Sequence, residues 1–141
     1  MCTNFVLFAC LLVSACGVKI KVANTMGKDY TASVGCKGEF TIPEIDETLS
    51  LTDGQDHVFE FQFQFPLECP TKLTCGVSAG TDPLNSDKFG KIEVPSICGD
   101  FEIGFFLRGE GIFKGNLDGG DIQKVSDFKC CPFGDCACDK N

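Results

Sequence analysis

The sequence predicts an all-β protein: a single antiparallel β-sandwich stapled by disulfides, with a cysteine-rich C-terminal tail. Three observations predict it. Apolar residues recur at every second position, and no stretch sustains the helical period. Turn-forming sequences rich in Gly and Asp separate the alternating runs. Of the 11 cysteines, Cys36, Cys69, Cys75, Cys98, Cys130, Cys131, Cys136 and Cys138 lie beyond residue 17, an even set with the capacity for four disulfides.

The first element is a leader. Residues 1–17 carry no charge, have an apolar core over 5–13 and end in the small residues Ser14, Ala15 and Gly17, the pattern of a secretory signal peptide. Cleavage near Cys16 or Gly17 would leave a sandwich domain over 18–128 and a tail over 129–141. Val13-Ser14-Ala15-Cys16 also resembles the lipobox of bacterial lipoproteins, in which the cysteine is acylated, but residues 1–4 lack the Lys or Arg of a bacterial leader. The apolar core is too short to span a bilayer. The expected location is extracellular, where cysteines oxidise.

The strands follow in order. Val18, Ile20 and Val22 alternate with Lys19 and Lys21; Tyr30, Ala32 and Val34 alternate with Thr31 and Ser33; Leu49 and Leu51 alternate with Ser50 and Thr52. Phe59, Phe61, Phe63 and Phe65 interleave with Glu60, Gln62 and Gln64, which places four rings on one face of a strand. Ile92 and Val94 mark the next strand, Phe101, Ile103, Phe105 and Leu107 a second aromatic row, and residues 112–117 a last strand. Turns are expected at Met26-Gly27-Lys28-Asp29, Asp53-Gly54-Gln55-Asp56, Gly109-Glu110-Gly111 and Asp118-Gly119-Gly120-Asp121. Seven to nine such strands, each with one apolar face, imply two antiparallel sheets packed face to face, with the two Phe rows opposed across the core. Residues 69–88 read as the one long connection. Within it, Cys69 and Cys75 are expected to pair and close the loop. At least one of Cys36 and Cys98 is expected to reach the tail, and the adjacent Cys130 and Cys131 to take different partners, because bridging neighbours strains the peptide between them.

Charge and composition exclude several functions. The net charge is −8 and every charged residue lies beyond residue 17, which argues against nucleic acid and anionic membrane as partners. Twelve of the 14 phenylalanines lie in the same region, against one tyrosine and no tryptophan, a composition suited to filling an interior or lining an apolar cavity.

Motifs with catalytic or metal chemistry do not assemble. Gly76-Val77-Ser78-Ala79-Gly80 fits G-x-S-x-G, but a nucleophile elbow needs a strand-to-helix turn and a histidine after the serine, and the single histidine, His57, precedes it. The tail cysteines lack a C-x-x-C pair and read as disulfides, not as a thiolate metal site. Cys130-Cys131-x4-Cys136 is similar to the last cysteines of three-finger domains, yet Ala137 stands where those carry asparagine. The two Asp-Gly-x-Asp turns lack the ligand periodicity of a calcium loop. No cofactor and no enzymatic activity are expected.

Residues 69–118 resemble the second half of ML lipid-recognition domains: Cys69-x5-Cys75, a strand ending Ile92-Glu93-Val94-Pro95, the strand from Asp100, a Gly turn and a last strand near Ile112. That resemblance implies a secreted sandwich, immunoglobulin-like in outline, holding a lipid between its sheets. Its cavity would be lined by Phe59, Phe61, Phe63, Phe65, Phe101, Ile103 and Phe105. The same residues equally suit a solid core. The family's pairing of a first-strand cysteine with a last-strand one is missing, since no cysteine occurs over 18–34 or 101–129. The expected function is therefore non-enzymatic binding of a lipid or other apolar small molecule. The alternative is a protein-binding, toxin-like or effector module that meets an extracellular protein through the 69–88 loop and the tail.

Overall fold

The computed structural model describes residues 5–8, 11–14, 17–27, 29–38, 41–42, 44–63, 73–82, 85–94 and 101–131. Among these the regular structure is all strand: β1 (Phe5–Phe8), β2 (Leu11–Ser14), β3 (Gly17–Asn24), β4 (Thr31–Gly38), β5 (Thr41–Ile42), β6 (Ile45–Leu51), β7 (Asp56–Phe63), β8 (Leu73–Gly80), β9 (Lys88–Val94), β10 (Phe101–Arg108), β11 (Gly111–Gly115) and β12 (Gln123–Asp127). β1 and β2 pair with each other as a separate hairpin. The remaining strands form a six-stranded sheet in the order β12-β11-β10-β3-β7-β5 and a four-stranded sheet in the order β6-β4-β8-β9. No helix among the described residues is long and apolar enough to cross a membrane.

The period-2 pattern builds the core directly, since alternate side chains of a strand share one face. From the larger sheet, β3 contributes Val18, Ile20 and Val22, β7 contributes Phe59 and Phe61, β10 contributes Phe105 and Leu107, and β11 contributes Ile112. Ala32, Val34 and Cys36 of β4, Leu73, Cys75, Val77 and Ala79 of β8, and Ile92 and Val94 of β9 meet them from the smaller sheet. All of these belong to one continuous buried cluster.

Three expectations are corrected. The two Phe rows do not oppose each other: β7 and β10 flank β3 in the same sheet. Their buried members Phe59, Phe61 and Phe105 share one core cluster with Ala32, Val34 and Cys36 of β4 and Cys75, Val77 and Ala79 of β8. Pairing is not wholly antiparallel, because β3 and β10 run parallel, from Val18 opposite Phe101 to Asn24 opposite Leu107. The intervening chain passes through the other sheet, which supplies the long crossover a parallel pair needs. The third correction concerns residues 69–88, which are not one long loop. β8 occupies 73–80 and lies between β4 and β9 at the centre of its sheet. Gly76, Ser78 and Gly80 disguise its alternation as loop composition.

That placement also redirects Cys75. It stands directly opposite Cys36 in the β4–β8 ladder, with Cα atoms 4.1 Å apart, and the two form a disulfide. The expected Cys69–Cys75 bridge is thereby overturned, and of the two cysteines expected to supply a bond to the tail Cys36 is excluded, which leaves Cys98. A residue inside a strand cannot turn back toward a neighbour six positions away while its ladder partner offers a thiol. Cys130 and Cys131 are both disulfide-bonded. Cys69, Cys98, Cys136, Cys138 and the tail beyond 131 lie outside the described residues, as do Phe65 and the proposed cleavage point at Cys16.

One buried polar side chain pins the end of the sandwich. Asn24 is fully buried, and its Nδ2 donates to the carbonyls of Tyr30 (3.0 Å) and Leu51 (2.8 Å) while its Oδ1 accepts from the Met26 amide (3.0 Å). It thus ties β3 to the end of β6 in the opposite sheet. Asp118 uses its carboxylate on the Gly120 amide at 2.9 Å, in a turn where Gly119 takes φ 91°. In the other Asp-Gly turn Gly54 takes φ 83°, and Asp53 reaches across to the turn before β4, accepting from the Gly27 amide at 3.1 Å.

Candidate functional site

The two lateral sides of the sandwich differ. On one side β12 and β9 end their sheets, and the chain after β12 crosses between them: Phe89 and Lys129 exchange backbone hydrogen bonds, each 2.8 Å. Phe128 packs on the core at this crossing. Lys88 lies 5.6 Å from the Tyr30 ring and 6.0 Å from that of Phe128. This side is closed by covalent continuity and by rings.

The opposite side is a cleft of about 490 Å³ between β6 and β7, lined by Glu44, Ile45, Asp46, Glu47, His57, Val58, Phe59 and Glu60. The local sequence explains its shape. β6 alternates Ile45, Glu47, Leu49 and Leu51 on its inward face, so a carboxylate occupies a position that deeper in the sheet would be apolar. His57 begins the inward row of β7 that continues with Phe59 and Phe61. Its Nε2 reaches Glu47 Oε1 at 3.5 Å across the gap between sheets, and its ring meets Phe59 edge-on with centroids 4.6 Å apart. Buried Ile45 and Phe59 form the apolar floor. Glu60 lies 3.9 Å from Lys19 on β3. Glu44 and Asp46 are exposed and have no ion-pair partner among the described residues.

The candidate cavity residues are distributed unevenly. Phe59, Phe61 and Phe105 lie within the packed core, and Phe101 and Ile103 are half-buried against it. Phe63 is on β7, paired with Thr41. Of these seven, Phe59 reaches the cleft. Glu44, Asp46 and Glu47 were not singled out from the sequence, although three acids within four residues are a local charge signal. Ser78 sits mid-strand in β8 with Ser33 and Phe89 beside it, in extended backbone with no strand-to-helix turn. No group of three or more metal-ligating side chains occurs among the described residues.

A solved structure of SPH (Self-Incompatibility Protein Homologue) proteins, a widespread family of small, highly stable, secreted proteins from plants, superposes on this chain with a TM-score of 0.56 at 15% sequence identity, covering 81% of this chain and 96% of that one. The chain shares their fold. No family model and no curated protein matches the sequence. At that identity the likeness concerns the backbone arrangement alone, so the residues of the cleft have to speak for themselves.

Proposed function

We propose that this chain acts outside the cell as a small, disulfide-crosslinked binding protein without catalytic chemistry, and that it recognises its partner at its surface and not between its sheets. The observation that carries this reading is the contiguous packing of the interior, where side chains of both sheets, Phe59, Phe61 and Phe105 included, are buried against one another. The leader pattern, the Cys36–Cys75 bond and the secreted character of the SPH proteins support the extracellular part. The buried polar side chain of Asn24 is fully engaged in structural hydrogen bonds. Carriage of an apolar ligand remains the competing use of the same Phe rows.

Native mass spectrometry of the protein secreted from eukaryotic cells separates the two. The expected result is an oxidised chain beginning near Val18 with no bound small molecule. A co-purifying lipid would restore the carrier reading, and a diacylglycerol mass on Cys16 would replace free secretion by anchoring.

A further inference from the structure

Among the described residues, the cleft side brings together the open flank of β6 and a flank of β7 that β5 covers only in part. β6 pairs on one flank with β4, and among the described residues no strand joins its other flank. β7 pairs with β3 from Asp56 to Gln62, but on its other flank β5 supplies two residues, Ile42 opposite Gln62 and Thr41 opposite Phe63. Past Ile42 the chain next appears in β6 of the other sheet, from Ile45. A strand position is therefore begun beside β7 and abandoned.

The ladder shows which backbone groups this exposes. Asn24 donates to the Gln55 carbonyl at 2.9 Å and accepts from the Gly54 amide at 2.8 Å, so Asn24 is a hydrogen-bonded position of β3. Hydrogen-bonded and non-bonded pairs alternate along an antiparallel ladder. Val22 with His57, Ile20 with Phe59 and Val18 with Phe61 are thus the bonded pairs. The N–H and C=O of Val58 and Glu60 point the other way, toward the vacated position.

We propose that this edge of β7 receives an extended, cationic peptide segment of a partner protein as an added strand continuing β5, with Glu44 just before β6 and Asp46 and Glu47 within it contacting its basic side chains. The proposal rests on the reading of the chain as a surface-binding protein and names the surface. Strand addition gives affinity through main-chain hydrogen bonds, and flanking side chains choose the sequence. Charge decides the occupant. The carboxylates repel a second copy of this acidic chain, which protects the edge from self-association, and they attract lysine or arginine at alternate positions.

The test uses the full secreted chain and a fluorescent nine-residue peptide alternating lysine and threonine, with an otherwise identical glutamate peptide as control, read by anisotropy. Saturable binding of the lysine peptide, weakened by salt and absent for the glutamate peptide, is expected. The double variant Glu44→Lys, Asp46→Lys should weaken it by about tenfold or more. Val58→Pro removes the outward amide and leaves the β3 ladder intact, so it should also weaken binding. N-methylation of alternate peptide amides probes the same hydrogen bonds on the unmodified protein, whatever Val58→Pro does to folding. Absent binding, equal binding of the glutamate peptide, or indifference to N-methylation in both registers would each overturn strand addition. None of these outcomes depends on the mass-spectrometric result, so the two readings fail separately.

Discussion

The two lateral sides of this sandwich solve one problem in opposite ways. Every open sheet has edges with unsatisfied backbone groups. On the β9–β12 side the chain itself crosses the gap, Phe89 and Lys129 bond to each other, and the ring of the adjacent Phe128 packs on the core. On the β6–β7 side the turn over 52–55 joins the two sheets at one end, β5 only begins a strand beside β7, and carboxylates guard the rest of the opening. The first solution contributes stability. The second keeps the edge available while making it unattractive to like-charged chains.

Breaking the strand that borders both the core and the cleft should have the largest effect. Phe61 is 4% exposed, so Phe61→Asp places an unpaired carboxylate in the core and should abolish folding and secretion. Gln62→Asp, one residue on and exposed, should be mild by thermal denaturation. Equal damage from both would show that β7 is covered on two faces and that the cleft is not open.

The closed side should come next. A Cβ at Gly90 would stand 2.8 Å from Ile112 Cδ1 and 3.2 Å from Phe128 Cδ1, so Gly90→Val should cost about 1–3 kcal/mol by overpacking the crossing. Unchanged stability in urea titration would mean that Phe128 is not a structural closure. Asn24→Ala strips three hydrogen bonds from a fully buried site and should cost about 2 kcal/mol, with the loss concentrated where β3 is tied to β6. Faster amide exchange at Leu51 than at Phe89 would locate it there.

The smallest effect belongs to the open side. Glu47→Gln removes the ion pair with His57, but both side chains are well exposed, and the change in stability should stay within about 0.5 kcal/mol. A loss comparable to that of Gly90→Val would make the His57–Glu47 contact a lock between the sheets and not a rim of the cleft.

These contrasts also explain what was legible in the sequence. β3, β4, β7 and β9 were readable because one face of each is largely buried and apolar, which writes period-2 alternation into the residues, and β10 keeps enough of it although Phe106 is buried on its other face. β12 was not, since its polar run exposes even its valine, Val125 at 51%, and β11 alone holds it in the sheet. β8 was hidden by its glycines and serine, and with it the Cys36–Cys75 bond. The order of strands within the sheets leaves no mark on any one strand, so the two Phe rows were placed opposite each other when they are neighbours across β3. The cleft was illegible for the same reason: Glu44, Asp46 and Glu47 are an ordinary acidic stretch at the start of a strand until β7 is set beside them.

The parallel pairing of β3 with β10 also bears on how the chain is made. β3 is synthesised early and becomes an interior strand of the larger sheet, yet one of its two neighbours is encoded more than half the chain later. At about 5–20 residues per second, β3 and β7 must wait several seconds for β10 to emerge. During that interval Val18, Ile20 and Val22 have a strand on one flank only. The larger sheet cannot close until β10 has been made, and a truncated product ending before Phe101 would present a sticky apolar ribbon to whatever chaperones the compartment holds.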